Sequence, residues 1–336
     1  MSSDDHAEAL VQHRSLEECE INFTGSAGVM VDECGRVMWG RSIEKHKFRY
    51  TTLLSDGDAK TYDAIVKLKP YDTPIQKEEC TNHVFKRMGT ALRKVVANSK
   101  LAGESMGGRG TGKLTNTVIE KLTAYYGKAI RTNKGDLSAM QNAIFATLLH
   151  CTPNDKHPNH HKCPTGVSSW CFYNRAVAKG ETPGLHEDHL KTVINRAYAV
   201  QLLPIYKRLA DNSLLTRCSR VATQNSNESL HNTVWSYANK RKFSGIHLVL
   251  TASARALATF NSGARSLTST LSRMSFGIGE HTVALGAARD AKRLRSASNS
   301  QHKLTKQIRR EKKKARLARL DAIEQEEGHL SSPGNA

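Results

Sequence analysis

Acidic and amide side chains are concentrated at two distant places in the sequence. Residues 55–58 read Ser-Asp-Gly-Asp, and residues 225–229 read Asn-Ser-Asn-Glu-Ser. Phosphodiester transfer by two metal ions needs several carboxylates that converge on cations about 4 Å apart. Asp56, Asp58 and Glu228 are therefore candidate ligands of divalent cations. The alternative is structural, because Asp and Gly are common in turns and helices favour an acid in their first turn.

A second group of candidate ligands consists of histidines and cysteines in the middle of the chain. Its members are His157, His160, His161, Cys163 and Cys171. Zinc prefers four nitrogen or sulfur ligands. The spacing favours a site built from His160 or His161 with Cys163 and Cys171, and with His157 or Cys151 as the fourth ligand. The alternative is a loop with surface histidines and a half-buried Cys171.

Cys80 and His83 form a smaller pair at a predicted strand-to-helix junction. Their three-residue spacing is compatible with a zinc site. It is equally compatible with a supporting contact beside the carboxylates, and we predict that second role for the pair.

Positive charge is concentrated near the C-terminal end. The chain has 50 Lys+Arg and 31 Asp+Glu, a net charge of +19, and residues 292–319 alone hold twelve basic residues and one acid. Such a run is suited to contact phosphates without reading base sequence, and it resembles a nuclear-import signal. The predicted nucleic-acid-binding residues are Lys292, Arg293, Arg295, Arg309, Arg310, Lys312, Lys313 and Lys314. The alternative is a charged segment that is simply solvated, as most charge runs are.

Composition excludes some classes of protein. No window approaches the roughly 18 apolar residues of a membrane span, and the polar, acidic start is unlike a signal peptide. The 7 cysteines are an odd, scattered set, which fits a reducing compartment rather than a disulfide framework. We expect a nuclear protein of 336 residues with no membrane contact.

Hydrophobic periodicity predicts the elements that position these residues. Strands are predicted over 48–54 and 75–80, so that Asp56 follows a strand and Cys80 ends one. Helices are predicted over 25–46, 84–95, 115–126, 137–149, 190–203, 204–209, 226–235 and 245–260, with a break at Pro204 and a basic helix or disorder beyond 287.

The order of these motifs resembles the transposase domain of Mutator-like elements. The resemblance rests on Ser-Asp-Gly-Asp at 55–58, on C-x₂-H at 80–83 and on the Asn-rich segment ending in Glu-Ser at 228–229. Further matches include Gly-Ser-Ala-Gly at 25–28 and Ser-Trp-Cys at 169–171. The resemblance implies an RNase H-like, integrase-type fold, a DDE carboxylate triad with Mg²⁺ or Mn²⁺, and DNA cleavage and strand transfer. In that triad Asp56 takes the second position, with Asp58 as the fallback, and Glu228 takes the third.

The first carboxylate of the triad has no counterpart in the sequence. In such proteins it lies on a strand upstream of the segment that corresponds to 25–28, and the residues before Gly25 contain no Asp-Gly in a strand-like run. We therefore expect an N-terminally truncated transposase-derived DNA-binding protein that is inactive alone. Its partners would be DNA and a full-length transposase or further copies of itself. The alternative is a non-enzymatic nucleic-acid-binding or zinc-stabilised interaction protein.

The expected fold class is α+β, mostly helical, with an incomplete RNase H-like core, a large helical insertion and a basic C-terminal helix and tail. The predicted segments are a flexible start (1–24), a partial core (25–98), the insertion with the His/Cys cluster (99–222), the third-carboxylate helix with further core helices (223–286), and the basic helix and tail (287–336).

Overall fold

A computed structural model describes residues 23–57, 59–242 and 244–301, with short helical stretches between 308 and 319. The elements are, in chain order, α1 (Ala27–Gly40), α2 (Ser42–His46), β1 (Thr52–Ser55), α3 (Lys60–Leu68), β2 (Gln76–Glu79), α4 (Thr81–Leu101), α5 (Asn116–Thr132), α6 (Leu137–His150), α7 (Phe172–Lys179), α8 (His186–His189), α9 (Arg196–Leu209), α10 (Asn212–Cys218), α11 (Asn225–Tyr237), α12 (Ile246–Ser262), α13 (Arg265–Arg273) and α14 (Glu280–Gln301). This content confirms the mostly helical α+β class. None of the described helices is both long and apolar enough to cross a bilayer.

The chain divides into two compact units. Unit 1 comprises Met1–Thr51, Asp58–Ile75 and Gln224–Thr305, and unit 2 comprises Thr52–Gly57, Gln76–Thr223 and Lys306–Ala336. The five segments predicted from the sequence remain a prediction, as does the RNase H-like core.

In unit 1, α1 packs closely on α3. A Cβ added to Gly35 would approach the Thr61 methyl group to 3.0 Å, so glycine permits this contact. The Thr61 hydroxyl donates to Asp32 at 2.7 Å across the same interface. The helix predicted over 25–46 is therefore present, as α1 and the short α2.

The rest of unit 1 is a succession of helices in which α11 packs on α12, α12 on α13 and α13 on α14. Among the described residues of these helices, α12 buries the side chains of Ala252 and Ala256, whereas α11 and α13 bury none. Large apolar side chains of this part of unit 1 therefore stay exposed, among them Leu250, Leu257 and Leu267.

Unit 2 contains a large apolar core between α4, α5, α6, α9 and α10. Val84, Met88 and Leu92 lie on one face of α4 and are fully buried, as the i, i+4, i+8 spacing predicts. Thr115 caps α5, since its side chain accepts a hydrogen bond from the backbone amide of Val118. The helices predicted over 115–126 and 137–149 are thus confirmed.

The predicted break at Pro204 is wrong, because α9 runs through it without interruption. A proline inside a helix costs about 3 kcal/mol. Leu202 before Pro204, and Ile205 and Tyr206 after it, are buried in the core, and this burial outweighs the cost. The predicted start of the helix at 190 is also too early, since Asn195 caps α9.

The strands β1 and β2 form a parallel two-stranded sheet in which Ser55 pairs with Glu79. Both predicted strands are present but shorter than expected. In a parallel pair the carboxyl ends of both strands lie at the same edge. Asp56 and Glu79 are therefore brought together at the end of the sheet.

Candidate metal centre and carboxylate edge

Two histidines and two cysteines of unit 2 converge on one point. They are His150, His160, Cys163 and Cys171, and their ligand atoms all lie within 4.8 Å of one another. His150 is the last residue of α6, and Cys171 caps the amino end of α7. The other two lie in the irregular segment between these helices.

The separations of the ligand atoms match a tetrahedral site. Nδ1 of His150 and Nδ1 of His160 are 3.4 Å apart, and Sγ of Cys163 lies 3.8 and 3.9 Å from these two atoms. Sγ of Cys171 lies 3.4 Å from Nδ1 of His160. Zinc–nitrogen bonds of about 2.0–2.1 Å and zinc–sulfur bonds of about 2.3 Å imply tetrahedral edges of about 3.3–3.8 Å. The group could therefore hold a metal such as zinc.

The thiols lie in surroundings that favour one thiolate. Cys171 is 0 % exposed and Cys163 is 5 % exposed. A hydrogen bond from the Cys163 thiol holds the pKa of Cys171 well below its usual range, and the same bond raises the pKa of Cys163. The backbone amide of Asn174 also donates to the Cys171 sulfur, at 3.5 Å. A thiolate is the form of cysteine that binds metals.

A chain of imidazoles extends outward from the group. Nε2 of His160 lies 3.1 Å from Nε2 of His186, and Nδ1 of His186 contacts the carboxylate of Asp155. The His186 hydrogen bond lowers the pKa of Asp155. The His160 ring is stacked on Tyr173, with 4.6 Å between ring centroids. These contacts fix the orientation of the His160 ring.

Three of the residues predicted as zinc ligands, His160, Cys163 and Cys171, lie in the group, and the other predicted ligands do not. His157 and His161 are exposed and are outside the group. Cys151 is buried in the helical core, where burial raises its pKa to about 12. The fourth place in the group is taken by His150, which the sequence prediction missed. Its position one residue before Cys151, at the end of a predicted helix, was the available signal.

A cavity of about 850 Å³ lies beside this group. His150 and Cys163 are on its wall, together with the indole of Trp170. Among the described residues, those that line it include three lysines, Lys128, Lys162 and Lys191, and no acid. The lysines therefore give the wall of the cavity a positive charge.

The second cluster, here called the carboxylate edge, lies at the carboxyl ends of β1 and β2. It comprises Asp56, Glu79, His83, Arg87 and Arg217. Oδ2 of Asp56 lies 2.5 Å from Nδ1 of His83, and Oδ1 lies 3.7 Å from Nη2 of Arg87. The same guanidinium lies 2.7 Å from Oε2 of Glu79, whose other oxygen lies 3.5 Å from Nε of Arg217. Both carboxylates are thus paired with cationic or imidazole groups of the chain itself.

Glu79 was missed by the sequence prediction, although it is the more buried acid of this edge. Its side chain is 4 % exposed, against 48 % for Asp56. The preceding residue, Glu78, pairs with Arg220 at 3.1 Å. No sequence signal marked Glu79, because it is the parallel pairing of β2 with β1 that brings it beside Asp56.

Cys80 and His83 have different roles in the structure. Cys80 is fully buried, and its backbone amide donates to the carbonyl of Ser55 at 2.9 Å, which links α4 to β1. His83 contacts Asp56 directly. Neither residue is in the His/Cys group.

The remaining predicted residues lie in unit 1 or outside the described residues. Glu228 is exposed in the first turn of α11 and belongs to unit 1, whereas Asp56 belongs to unit 2. Their convergence stays a prediction. Asp58 lies outside the described residues, as do Arg310, Lys313 and Lys314. The other predicted nucleic-acid-binding residues, Lys292, Arg293, Arg295, Arg309 and Lys312, are exposed in helical segments.

Comparison with known proteins identifies a family. The sequence model of the Mutator-like transposase family matches residues 4–171, half of the chain. This region includes the carboxylate edge up to Arg87 and all four residues of the His/Cys group, and it ends before Glu228. No curated protein and no solved structure matches the chain. The chain belongs to the Mutator-like transposase family.

Proposed function

We propose that this chain is a transposase-derived DNA-binding protein, acting in the nucleus, which by itself neither cuts nor joins DNA. Family membership supports descent from a DDE transposase, in which Asp56 and Glu228 would hold Mg²⁺ or Mn²⁺. The proposal that the chain is inactive rests on the carboxylate edge, where arginines and a histidine of the chain already pair with the acids.

Charge supports DNA binding. The net charge of +19 creates a field that attracts polyanions. Lys292 and Arg295 are exposed on α14, and Arg293 beside them donates to the carbonyl of Thr259 at 3.4 Å. The lysine-lined cavity of unit 2 adds a second surface without acidic side chains. These groups favour contact with phosphates rather than with base edges.

The carboxylate edge supports inactivity. A carboxylate oxygen that ligates Mg²⁺ needs a lone pair directed at the ion. In the structure one oxygen of Asp56 contacts His83, and the other faces Arg87. Arg87 also binds Glu79, so its displacement would leave a buried acid with less compensation. As arranged, this edge does not fit Mg²⁺, and the residues favour a state without it.

DNA binding is tested with the full chain by fluorescence anisotropy of a labelled duplex over a series of salt concentrations. Each phosphate contact contributes about 0.9 to the slope of log K against log salt. The triple variant K292Q/R293Q/R295Q should therefore reduce the slope by roughly 2–3. The matched control K45Q/K67Q/K179Q changes exposed lysines elsewhere and should leave the slope unchanged. Absence of binding at low salt, or equal slopes for both variants, would contradict the proposal.

Inactivity is tested by incubating the chain with labelled transposon-end DNA and Mg²⁺ or Mn²⁺. We expect no cleavage or joining above the background without protein. The proposal of inactivity would be overturned if the chain cleaved or joined DNA, if Glu228→Gln abolished that activity, and if the control Glu181→Gln, at an exposed acid, retained it.

A second function, a zinc-stabilised interaction protein, is favoured by the His/Cys group. The DNA-binding assay distinguishes the two, since an interaction protein of this kind needs no affinity for phosphates.

A further inference from the structure

We propose that His150, His160, Cys163 and Cys171 form a closed structural zinc centre, and that His186 and Asp155 position one of its ligands. This inference is independent of the DNA-binding proposal. It rests on the geometry of the ligand atoms, on their burial and on the hydrogen bonds that lead away from them.

The donor set selects the metal. Two sulfur and two nitrogen donors suit zinc, whereas Mg²⁺ and Ca²⁺ take oxygen ligands. The three atoms Nδ1 of His150, Nδ1 of His160 and Sγ of Cys163 form a nearly equilateral triangle with sides of 3.4, 3.8 and 3.9 Å. Any three ligands of a square plane include one diagonal, about 1.4 times the edge. The triangle therefore fits one face of a tetrahedron and disfavours square-planar Cu²⁺ or Ni²⁺.

The centre is closed rather than catalytic. Catalytic zinc sites keep one position for water or substrate, and structural sites have four protein ligands. All four corners here are supplied by side chains, and three of these residues are buried. His150 is half-buried, with the indole of Trp170 placed edge-on at 4.9 Å.

The outer hydrogen bonds determine which nitrogen of His160 faces the metal. The Asp155 carboxylate is an acceptor, so Nδ1 of His186 carries the proton that it receives. Nε2 of His186 is then an acceptor for Nε2–H of His160. This leaves the lone pair on Nδ1 of His160, the atom that faces the two sulfurs. His186 and Asp155 are thus positioning residues, which set the tautomer and the ring orientation.

The segment that the centre would fix has little apolar stabilisation of its own. Residues 152–170 form neither helix nor strand. The small apolar cluster beside them consists of Ala146 and the two cysteines, with Tyr173 packed against it. Zinc would join the end of α6, this segment and the start of α7 at one point, and would hold the wall of the neighbouring cavity in place.

The first test is the zinc content of the full chain, purified under reducing conditions and measured by elemental analysis. We expect one zinc per chain, falling to near zero in Cys163→Ser and Cys171→Ser. The matched controls His157→Ala, His161→Ala and Cys34→Ser change nearby or exposed residues of the same types and should keep one zinc. A wild-type chain that takes up no zinc after anaerobic reconstitution would overturn the proposal.

A spectroscopic test does not depend on the folding of variants. The wild-type chain reconstituted with Co²⁺ should show the intense visible bands of tetrahedral cobalt and a thiolate-to-cobalt band in the near ultraviolet. The weak visible bands of octahedral cobalt, without the thiolate band, would contradict the assigned ligands.

The positioning role is tested by Asp155→Asn and His186→Phe. Both variants should still bind one zinc, but about 10–100-fold more weakly in competition with a chromophoric chelator. Asp155→Glu, which can keep the hydrogen bond, should recover most of the affinity. Unchanged affinity in both disruptive variants would remove the positioning role and leave the four ligands in place.

Discussion

Two clusters of unit 2 contain the side chains that metals prefer, and they are built in opposite ways. In the carboxylate edge, Asp56 faces His83 and Arg87, and Glu79 faces Arg87 and Arg217. In the His/Cys group, the ligand atoms converge, and the groups that shift the pKa values of its two cysteines are cysteines, histidines and a backbone amide rather than arginines or lysines.

The difference concerns how buried charge is compensated. An ionised group taken out of water must be paired, or it changes its protonation state. The carboxylate edge has this compensation in its arginines, and a metal ion there would compete with them. In the His/Cys group the largest stabilising contribution to a Cys171 thiolate is the hydrogen bond from the Cys163 thiol. A divalent cation therefore stabilises the His/Cys group more than the carboxylate edge.

The largest expected effect is that of metal removal from the His/Cys group. Because structural zinc contributes its binding free energy to folding, dialysis against a strong chelator should lower the free energy of unfolding by several kcal/mol. The measurement is a thermal or urea melt followed by circular dichroism, with and without chelator. Cys163→Ser, already without metal, should show no further loss on chelation. If the chelator did not change the unfolding transition of the wild-type chain, the result would contradict the comparison.

The sequence allowed most of the helices to be predicted, because their buried faces recur at helical spacing. It could not show that α9 continues through Pro204, since that depends on the core into which Leu202 and Ile205 pack. Local pattern also could not show how short the strands are, because pairing of β1 with β2 sets their length.

The same limit applies to the two clusters. Cys163 and Cys171 were found from their type and spacing, and His160 was one of two alternatives. His150 was not found, since only tertiary packing turns the last turn of α6 toward the loop. Glu79 was missed because its closeness to Asp56 follows from strand register, which the sequence does not display.

The next effect in size concerns the buried acid of the carboxylate edge. Glu79→Gln would leave Arg87 and Arg217, whose side chains are 34 % and 33 % exposed, without their carboxylate. Loss of hydrogen bonds to a charged group costs about 2 kcal/mol. Glu78→Gln is the matched control, because Glu78 pairs with an arginine that is 66 % exposed and should cost about 0.5 kcal/mol. Urea denaturation of both variants measures the difference. Equal losses would show that Glu79 is not the centre of this pairing.

The smallest expected effect is a gain of metal affinity at the carboxylate edge. Arg87→Gln removes the cation shared by Asp56 and Glu79 while keeping a polar side chain of similar reach. Two carboxylates at the end of a parallel pair would then lack one of their positive neighbours, and their affinity for Mn²⁺ should rise about tenfold. Isothermal titration with Mn²⁺ measures this rise, and Arg131→Gln, at an arginine stacked on Phe85 away from the edge, is the control. If Arg87→Gln bound Mn²⁺ no better than the control, shortage of carboxylates rather than competition by arginine would explain why this edge does not fit a metal.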